Sequence, residues 1–327
     1  MTQDASQGTA TPPNAASNRN RDTSPFPGGI HVPLVTPFTA AGEVAVDALE
    51  ALAHEVLDAG ARGIVALGTT GESAGLDEAE RDLVTDVCAR VCRERGASLT
   101  VGAGASGTRA SEAALARLAR WRPVRAALVT VPSFVRPSAA GVLAHFERLV
   151  EVSPVPLIVY HVPHRTGRPL DAAVLRSLGE LPGVVGVKYA TGGIDQDVVA
   201  LLGDRPDGFA VLAGDDAYAS PLLAVGAQGA ILASAHLATG RFVELAAAWE
   251  AGEVSRARAL GHVLARLSAA VFAEPNPAVV KGVLHALGRI PTADVRLPLL
   301  PASEESVAVA LKALAELATG PVGAGGA

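Results

Sequence analysis

Residues 184–191 read VVGVKYAT, a run in which apolar residues do not alternate with polar ones. A strand with one face in water alternates, whereas a parallel strand sheathed on both faces by other elements reads as nearly continuous apolar sequence. The interruption in this run is Lys188. Of the 27 Lys and Arg residues only Lys188, Lys281 and Lys312 are lysines, so almost every other basic position is an arginine. A lysine inside an apolar strand is either snorkelling from an edge or kept for chemistry that a guanidinium cannot do. Arginine stays protonated, but a desolvated amine can lose its proton and attack a carbonyl.

Outward from this strand the same kind of run recurs. Strands are predicted at 30–38 (IHVPLVTPF), 63–68 (GIVALG), 99–105 (LTVGAGA), 126–132 (AALVTVP), 156–163 (PLIVYHVP), 184–191, 209–216 (FAVLAGDD) and 229–234 (GAILAS). Alanine-rich amphipathic stretches such as DALEALAHEVLDAG and SEAALARLARW lie between them, each ending near Gly, Pro or a basic cluster. Eight strands alternating with eight helices at roughly 25–35-residue spacing predict an α/β fold, a (β/α)8 TIM barrel, over an open doubly wound sheet. Helices are then predicted at 239–250, 253–272, 277–287 and 303–317. The expected organisation is a disordered tail over 1–25, a barrel over 26–238, the last barrel helix with a C-terminal helical extension over 239–318, and a flexible tail over 319–327.

Composition narrows the function. Hydrophobic residues make up 49% and aromatics only 4%, which suits close packing of small side chains in a large core. The net charge of −6 is spread without a basic stripe, so neither nucleic acid nor a membrane surface is an expected partner, and a small molecule is. The first 25 residues lack the apolar segment of a signal peptide, and no apolar run reaches the roughly 20 residues of a membrane span. The expected location is cytoplasmic. Cys88 and Cys92 are expected to be free buried thiols. GAGASG at 102–107 fits the dinucleotide pattern GxGxxG, but no acid lies between Glu112 and Glu147 to hold a ribose, so a tight turn is the expected role of these glycines.

In such a barrel the reacting groups sit at the carboxyl ends of the strands. Strand two ends in GTTGES (68–73), whose amides and hydroxyls can cradle a carboxylate or phosphate. Strand five carries Tyr160 and runs into HVPHRTG, where Arg165 can grip an anion through two parallel hydrogen bonds. Strand six carries Lys188, strand seven ends in GDD (214–216), and the loop after strand four holds Ser133, Phe134 and Arg136. Singly, each has an ordinary explanation: a turn, a core aromatic, a surface charge, or a cap on the next helix through Asp215 or Asp216. Together they place an anion cradle, a phenol, an amine and an arginine at one end of one barrel, as imine formation with a 2-keto acid requires. His161 and His164 lack a third ligand nearby, so no metal site is expected. His161 is expected at the pocket mouth and His164 as a plain loop residue.

LVTPF (34–38), GTTGES (68–73), VYHVPHRTG (159–167), GVKYATG (186–192), LAGDDA (212–217) and FAEPNPAVVKG (272–282) together resemble the pyruvate-dependent class I aldolase family that includes dihydrodipicolinate synthase and N-acetylneuraminate lyase. GTTGES, YxVPxRTG and EPNP are similar to the synthase branch. The resemblance implies a Schiff-base lysine at Lys188, proton relay through Tyr160 and Thr69, a pyruvate carboxylate held by the hydroxyl and amide of Thr70, and Gly71 as a further substrate-binding residue. It also implies that Arg165 binds the carboxylate of the aldehyde partner and that the Ile231 carbonyl faces the imine. No cofactor is implied beyond the covalent imine on Lys188. The implied partners are pyruvate or another 2-keto acid, an aldehyde co-substrate, and further copies of the chain in a homotetramer or homodimer. The implied activity is 4-hydroxy-tetrahydrodipicolinate synthase-like, with aspartate semialdehyde as co-substrate, in lysine biosynthesis. Departures open two alternatives: an aldolase or lyase for another 2-keto acid such as a 2-keto-3-deoxy sugar acid, or an idle keto-acid-binding paralogue. Phe134 stands where relatives place a relay tyrosine from the neighbouring subunit, Tyr189 follows the lysine where many carry an acid, and His161 replaces a common Asn.

Overall fold

Eight short strands close on themselves in chain order, each parallel to its neighbours, in a computed structural model that describes residues 26–319. The tails expected at 1–25 and, Thr319 apart, at 319–327 lie outside the described residues. The strands are β1 (Gly29–Pro33), β2 (Gly63–Ala66), β3 (Ser98–Gly102), β4 (Val124–Thr130), β5 (Leu157–His161), β6 (Val184–Tyr189), β7 (Ala210–Ala213) and β8 (Gly229–Ile231). Around them run α1 (Val46–Asp58), α2 (Glu78–Arg95), α3 (Thr108–Arg117), α4 (Ala139–Val152), α5 (Pro163–Thr166), α6 (Ala172–Gly179), α7 (Gln196–Gly203), α8 (Ala219–Ala224) and α9 (Ala235–Glu250). Helices α10 (Val254–Val271), α11 (Ala278–Ala286) and α12 (Glu304–Thr319) follow the last strand's helix. This is the expected (β/α)8 barrel with a C-terminal helical extension.

The strands are shorter than their apolar runs, because the run continues into the loop that turns over the barrel's end. Residues 34–38 were expected to extend β1, but Pro33 and Pro37 carry no N–H for a ladder, and Phe38 instead makes an isolated antiparallel bridge to Val44. Helix α9 starts at Ala235, four residues before the expected 239, and bends at Ala238 (φ −146°, ψ 43°). The clearest local signals are at α2, where Asp77 and Glu80 form a capping box and Gly96 closes the helix in the left-handed region.

Alternation along each strand sorts side chains into two cores. Val65, Leu128, Ile158, Tyr160, Leu212 and Ile231 belong to the cluster inside the barrel, while Leu157, Val159, Val187 and Tyr189 belong to the layer between strands and helices. The GAGASG glycines serve close approach more than a tight turn, since neither Gly102 nor Gly104 has a positive φ. A Cβ on Gly102 would stand 2.1 Å from the Leu67 carbonyl oxygen, and one on Gly104 2.5 Å from the Thr130 amide nitrogen. Cys88 and Cys92 are free and buried, and burial pushes both thiols up. No described helix is long and apolar enough to cross a membrane.

Barrel closure depends on β1 pairing with β8 through Gly29 opposite Gly229. A Cβ on Gly229 would lie 2.3 Å from the Gly29 carbonyl oxygen and 2.6 Å from its nitrogen, atoms that cannot move without opening this seam. Gly229→Ala is expected to lower unfolding free energy by about 2 kcal/mol or more through overpacking, read as a shift in the urea midpoint.

Candidate active site

The β5–β6–β7 register sets Tyr160, Lys188 and Leu212 side by side on the inner face of the barrel. Lys188 is 6% exposed, and its Nζ lies 4.4 Å from the centre of the Tyr160 ring, within reach of the ring's negative face. Among the described residues no carboxylate stands within ion-pair distance of this amine. Gly214, at the end of β7, leaves room for it: a Cβ there would meet Lys188 Cγ at 2.9 Å and Cε at 3.0 Å. Around the amine is a cavity of about 40 Å³ lined by Thr69, Thr70, Tyr160, His164, Arg165, Asp215, Asp216, Ile231, Phe272 and Asn276 among others. Two larger cavities are not lined by a lysine: one of about 480 Å³ between α2, α3 and the end of β3, and one of about 660 Å³ between α2 and the segment around Trp121. Size therefore does not mark the site; convergence of reactive groups does.

The cradle at the end of β2 is held from several sides. Thr36 donates its hydroxyl hydrogen to the Gly71 carbonyl at 2.8 Å, and the Asn276 side-chain amide donates to the buried Thr70 hydroxyl at 2.9 Å. Glu72 sits in the left-handed region (φ 54°), an uncommon conformation for a side-chain-bearing residue. Its carboxylate is tied at both oxygens: Lys281 Nζ of α11 donates to Oε1 at 2.7 Å, and the Arg296 backbone N–H donates to Oε2 at 2.7 Å. Lys281 and Arg296 both stack over the Phe38 ring, at 4.0 and 4.4 Å. The C-terminal extension thus fastens the loop that forms one wall of the cavity.

The two aspartates of GDD do not cap the helix that follows them. Asp215 accepts from the Gly192 N–H at 2.6 Å and Asp216 from the Ser234 N–H at 2.5 Å, so they tie the ends of β6 and β8 to β7. Burial pushes the Asp216 carboxyl up to about 6 and raises that of Asp215, the Lys188 charge opposing both shifts.

The structure gathers Lys188, Tyr160, Thr69, Thr70, Arg165 and Ile231 around one cavity. Gly71 is not among the residues that line the cavity, and its N–H donates to the Gly68 carbonyl at 3.1 Å. His161 is not at the mouth. It follows Tyr160 on β5, so its ring points to the opposite face, where it is 1% exposed and packs 5.3 Å from the Tyr189 ring. Tyr189 likewise turns away from the amine beside it in sequence and donates its hydroxyl hydrogen to Asp195 at 2.7 Å. Burial first, and then Asp195, hold that proton well above the usual phenol range. Phe134 is 92% exposed on the loop after β4 and does not line the cavity of its own chain. His164 is more than a plain loop residue, because it stands among the lining groups. Asn276 and the Glu72–Lys281 pair also belong to the site's framework; the rarity of lysine pointed at Lys281 as much as at Lys188, but pairing across 209 residues has no local signature.

The dihydrodipicolinate synthetase family model matches residues 26–317. The chain is 38% identical over 288 residues to 4-hydroxy-tetrahydrodipicolinate synthase of Moorella thermoacetica, covering 87% of this chain and 97% of that protein. Among solved structures it is similar to dihydrodipicolinate synthase from Thermotoga maritima (TM-score 0.85, 30% identity, 89% of this chain and 99% of that one). It is also similar to the chloride-inhibited enzyme from Acinetobacter baumannii, solved in complex with pyruvate (TM-score 0.85, 33% identity, 90% and 99% covered).

Lys281→Met is expected to destabilise the fold by about 3–5 kcal/mol, because it leaves a buried carboxylate without its counter-charge. The double variant Lys281→Met with Glu72→Met should recover part of that loss and leave the Arg296 N–H unpaired; chemical denaturation of the three proteins checks both. Burial lowers His31, His161 and His236 to about 4 from an ordinary 6.5. Groups depressed on folding contribute stability that is present above pH 6.5 and lost as pH falls through 4. Denaturation midpoints should therefore drop across that window, and His161→Leu should make the decline shallower.

Proposed function

Because the chain belongs to the dihydrodipicolinate synthetase family, we propose that it is a 4-hydroxy-tetrahydrodipicolinate synthase, a Schiff-base aldolase joining pyruvate to aspartate semialdehyde. The observation that carries this reading is an unpaired amine: Lys188 Nζ faces the cavity above the Tyr160 ring with no carboxylate bound to it among the described residues, whereas Lys281, also buried, is consumed by Glu72. The amine attacks C2 of pyruvate, water leaves, and the resulting imine makes the methyl protons acidic enough to lose one. The enamine carbon then bonds to the aldehyde carbon of aspartate semialdehyde. Thr70 holds the pyruvate carboxylate, Tyr160 and the Thr69 hydroxyl carry protons, Arg165 at the rim binds the carboxylate of the aldehyde, and the Ile231 carbonyl faces the imine. The covalent imine takes the place of a cofactor.

The expected assembly is a homodimer or homotetramer in the cytoplasm. Phe134 and Val135, 92% and 60% exposed, form an apolar loop tip suited to cover by a second copy. Incubation with pyruvate followed by borohydride should leave a reduced adduct on Lys188, detected by mass, and Lys188→Ala should leave none. A coupled assay with aspartate semialdehyde should then show turnover; trapping without that turnover would point to a different aldehyde.

A further inference from the structure

Condensation through an imine requires a proton to leave the pyruvate methyl and another to reach the aldehyde oxygen, yet several of the proton-bearing groups that line the cavity with the amine are buried. Tyr160, Thr70 and Asp216 are 7%, 3% and 5% exposed. Each can relay a proton, but none can exchange it with solvent directly. Arg165 is exposed, but a guanidinium is a poor proton carrier. Thr69 and Asp215 are half-buried, and among the lining residues His164 is the exposed one whose ring can both accept and donate a proton. Its mounting is rigid: Pro163 opens the four-residue turn α5, Gly167 closes it at φ 68°, and the Thr166 hydroxyl hydrogen-bonds back to the Val162 carbonyl at 3.3 Å. Asp215 lines the same cavity, anchored on the Gly192 N–H, and a positive charge on His164 would favour its carboxylate form.

We propose that His164, backed by Asp215, is the group that exchanges the site's protons with solvent. This assignment rests on the Schiff-base reading above. When the methyl C–H bond of the protonated imine breaks, its electron pair forms the carbon–carbon double bond of the enamine and the C=N pair moves to nitrogen, neutralising it. The proton passes through Tyr160 to the His164 imidazole. When the enamine carbon bonds to the aldehyde carbon, the C=N bond re-forms and the carbonyl pair moves to oxygen, which takes a proton from the imidazolium along the same path. Asp215 favours the imidazolium between the two transfers.

The test separates this step from imine formation. Without aldehyde, the enzyme should wash deuterium from D2O into the methyl group of pyruvate, followed by NMR. His164→Ala is expected to slow this exchange by about 100-fold or more, within the range for loss of a proton-transfer group. Borohydride should still trap pyruvate on Lys188 in that variant, and added imidazole should restore part of the exchange. Exchange within about twofold of the parent overturns the assignment, and so does a rise in KM for pyruvate with kcat unchanged. Loss of the trapped adduct in the variant also overturns it, by giving His164 a part in forming the imine. Failure of the parent itself to trap pyruvate overturns the Schiff-base reading, and this inference with it.

Discussion

The buried ion pair between Lys281 and Glu72 is the interaction on which the site's shape depends. Removing either charge from water costs several kcal/mol, and only close pairing with further hydrogen bonds offsets that. Here the pairing is complete: the lysine side chain is fully buried, the carboxylate nearly so, and the second carboxylate oxygen accepts from the Arg296 N–H. The pair holds Glu72 in the left-handed region, so the chain turns sharply after Thr69 and Thr70 and leaves both facing the cavity. It also explains why a barrel carries three more helices. Helix α11 supplies Lys281, and the segment after it supplies Arg296, which reaches on to Glu80 and the Gly42 carbonyl.

A second constraint is the two-residue period of a strand. It gives β5 and β6 an inner residue each, Tyr160 and Lys188, and an outer residue each, His161 and Tyr189. The outer pair stacks under the helices with Asp195, while the inner pair meets above the barrel's floor. The two tyrosines near the lysine thus do unlike work. Tyr160 offers its ring to the ammonium and its phenol to the cavity; Tyr189, hydrogen-bonded to Asp195, fastens the end of β6 to the start of α7. Tyr189, beside Lys188 in sequence, therefore does not face the cavity, which His164, Arg165, Asp215 and Phe272 border instead.

Glycines make this geometry possible in two different ways. Gly167 is needed for its backbone, closing α5 at φ 68° so that His164 and Arg165 stand at the mouth. Gly214 is needed for the space it leaves, because any side chain there would displace the stem of Lys188. The aspartates after it then bind N–H groups on the neighbouring strand ends, which ties the mouth of the barrel together.

The sequence by itself determined the eight strands, their parallel order, the trailing helices and the end of the barrel at which chemistry collects, because each follows from local periodicity and from the rule that strands of this kind are covered on both faces. It also singled out Lys188, since a lone amine in an apolar run of an arginine-rich chain is a local anomaly. Tertiary structure alone decided which way neighbouring side chains point and which distant charges meet. His161 and Tyr189 turned outward because strand alternation is absolute once Tyr160 and Lys188 take the inside. Lys281 found Glu72, and Asn276 found Thr70, across more than 200 residues. Such pairings depend on where the closed barrel brings its ends together, and no window of sequence contains both partners.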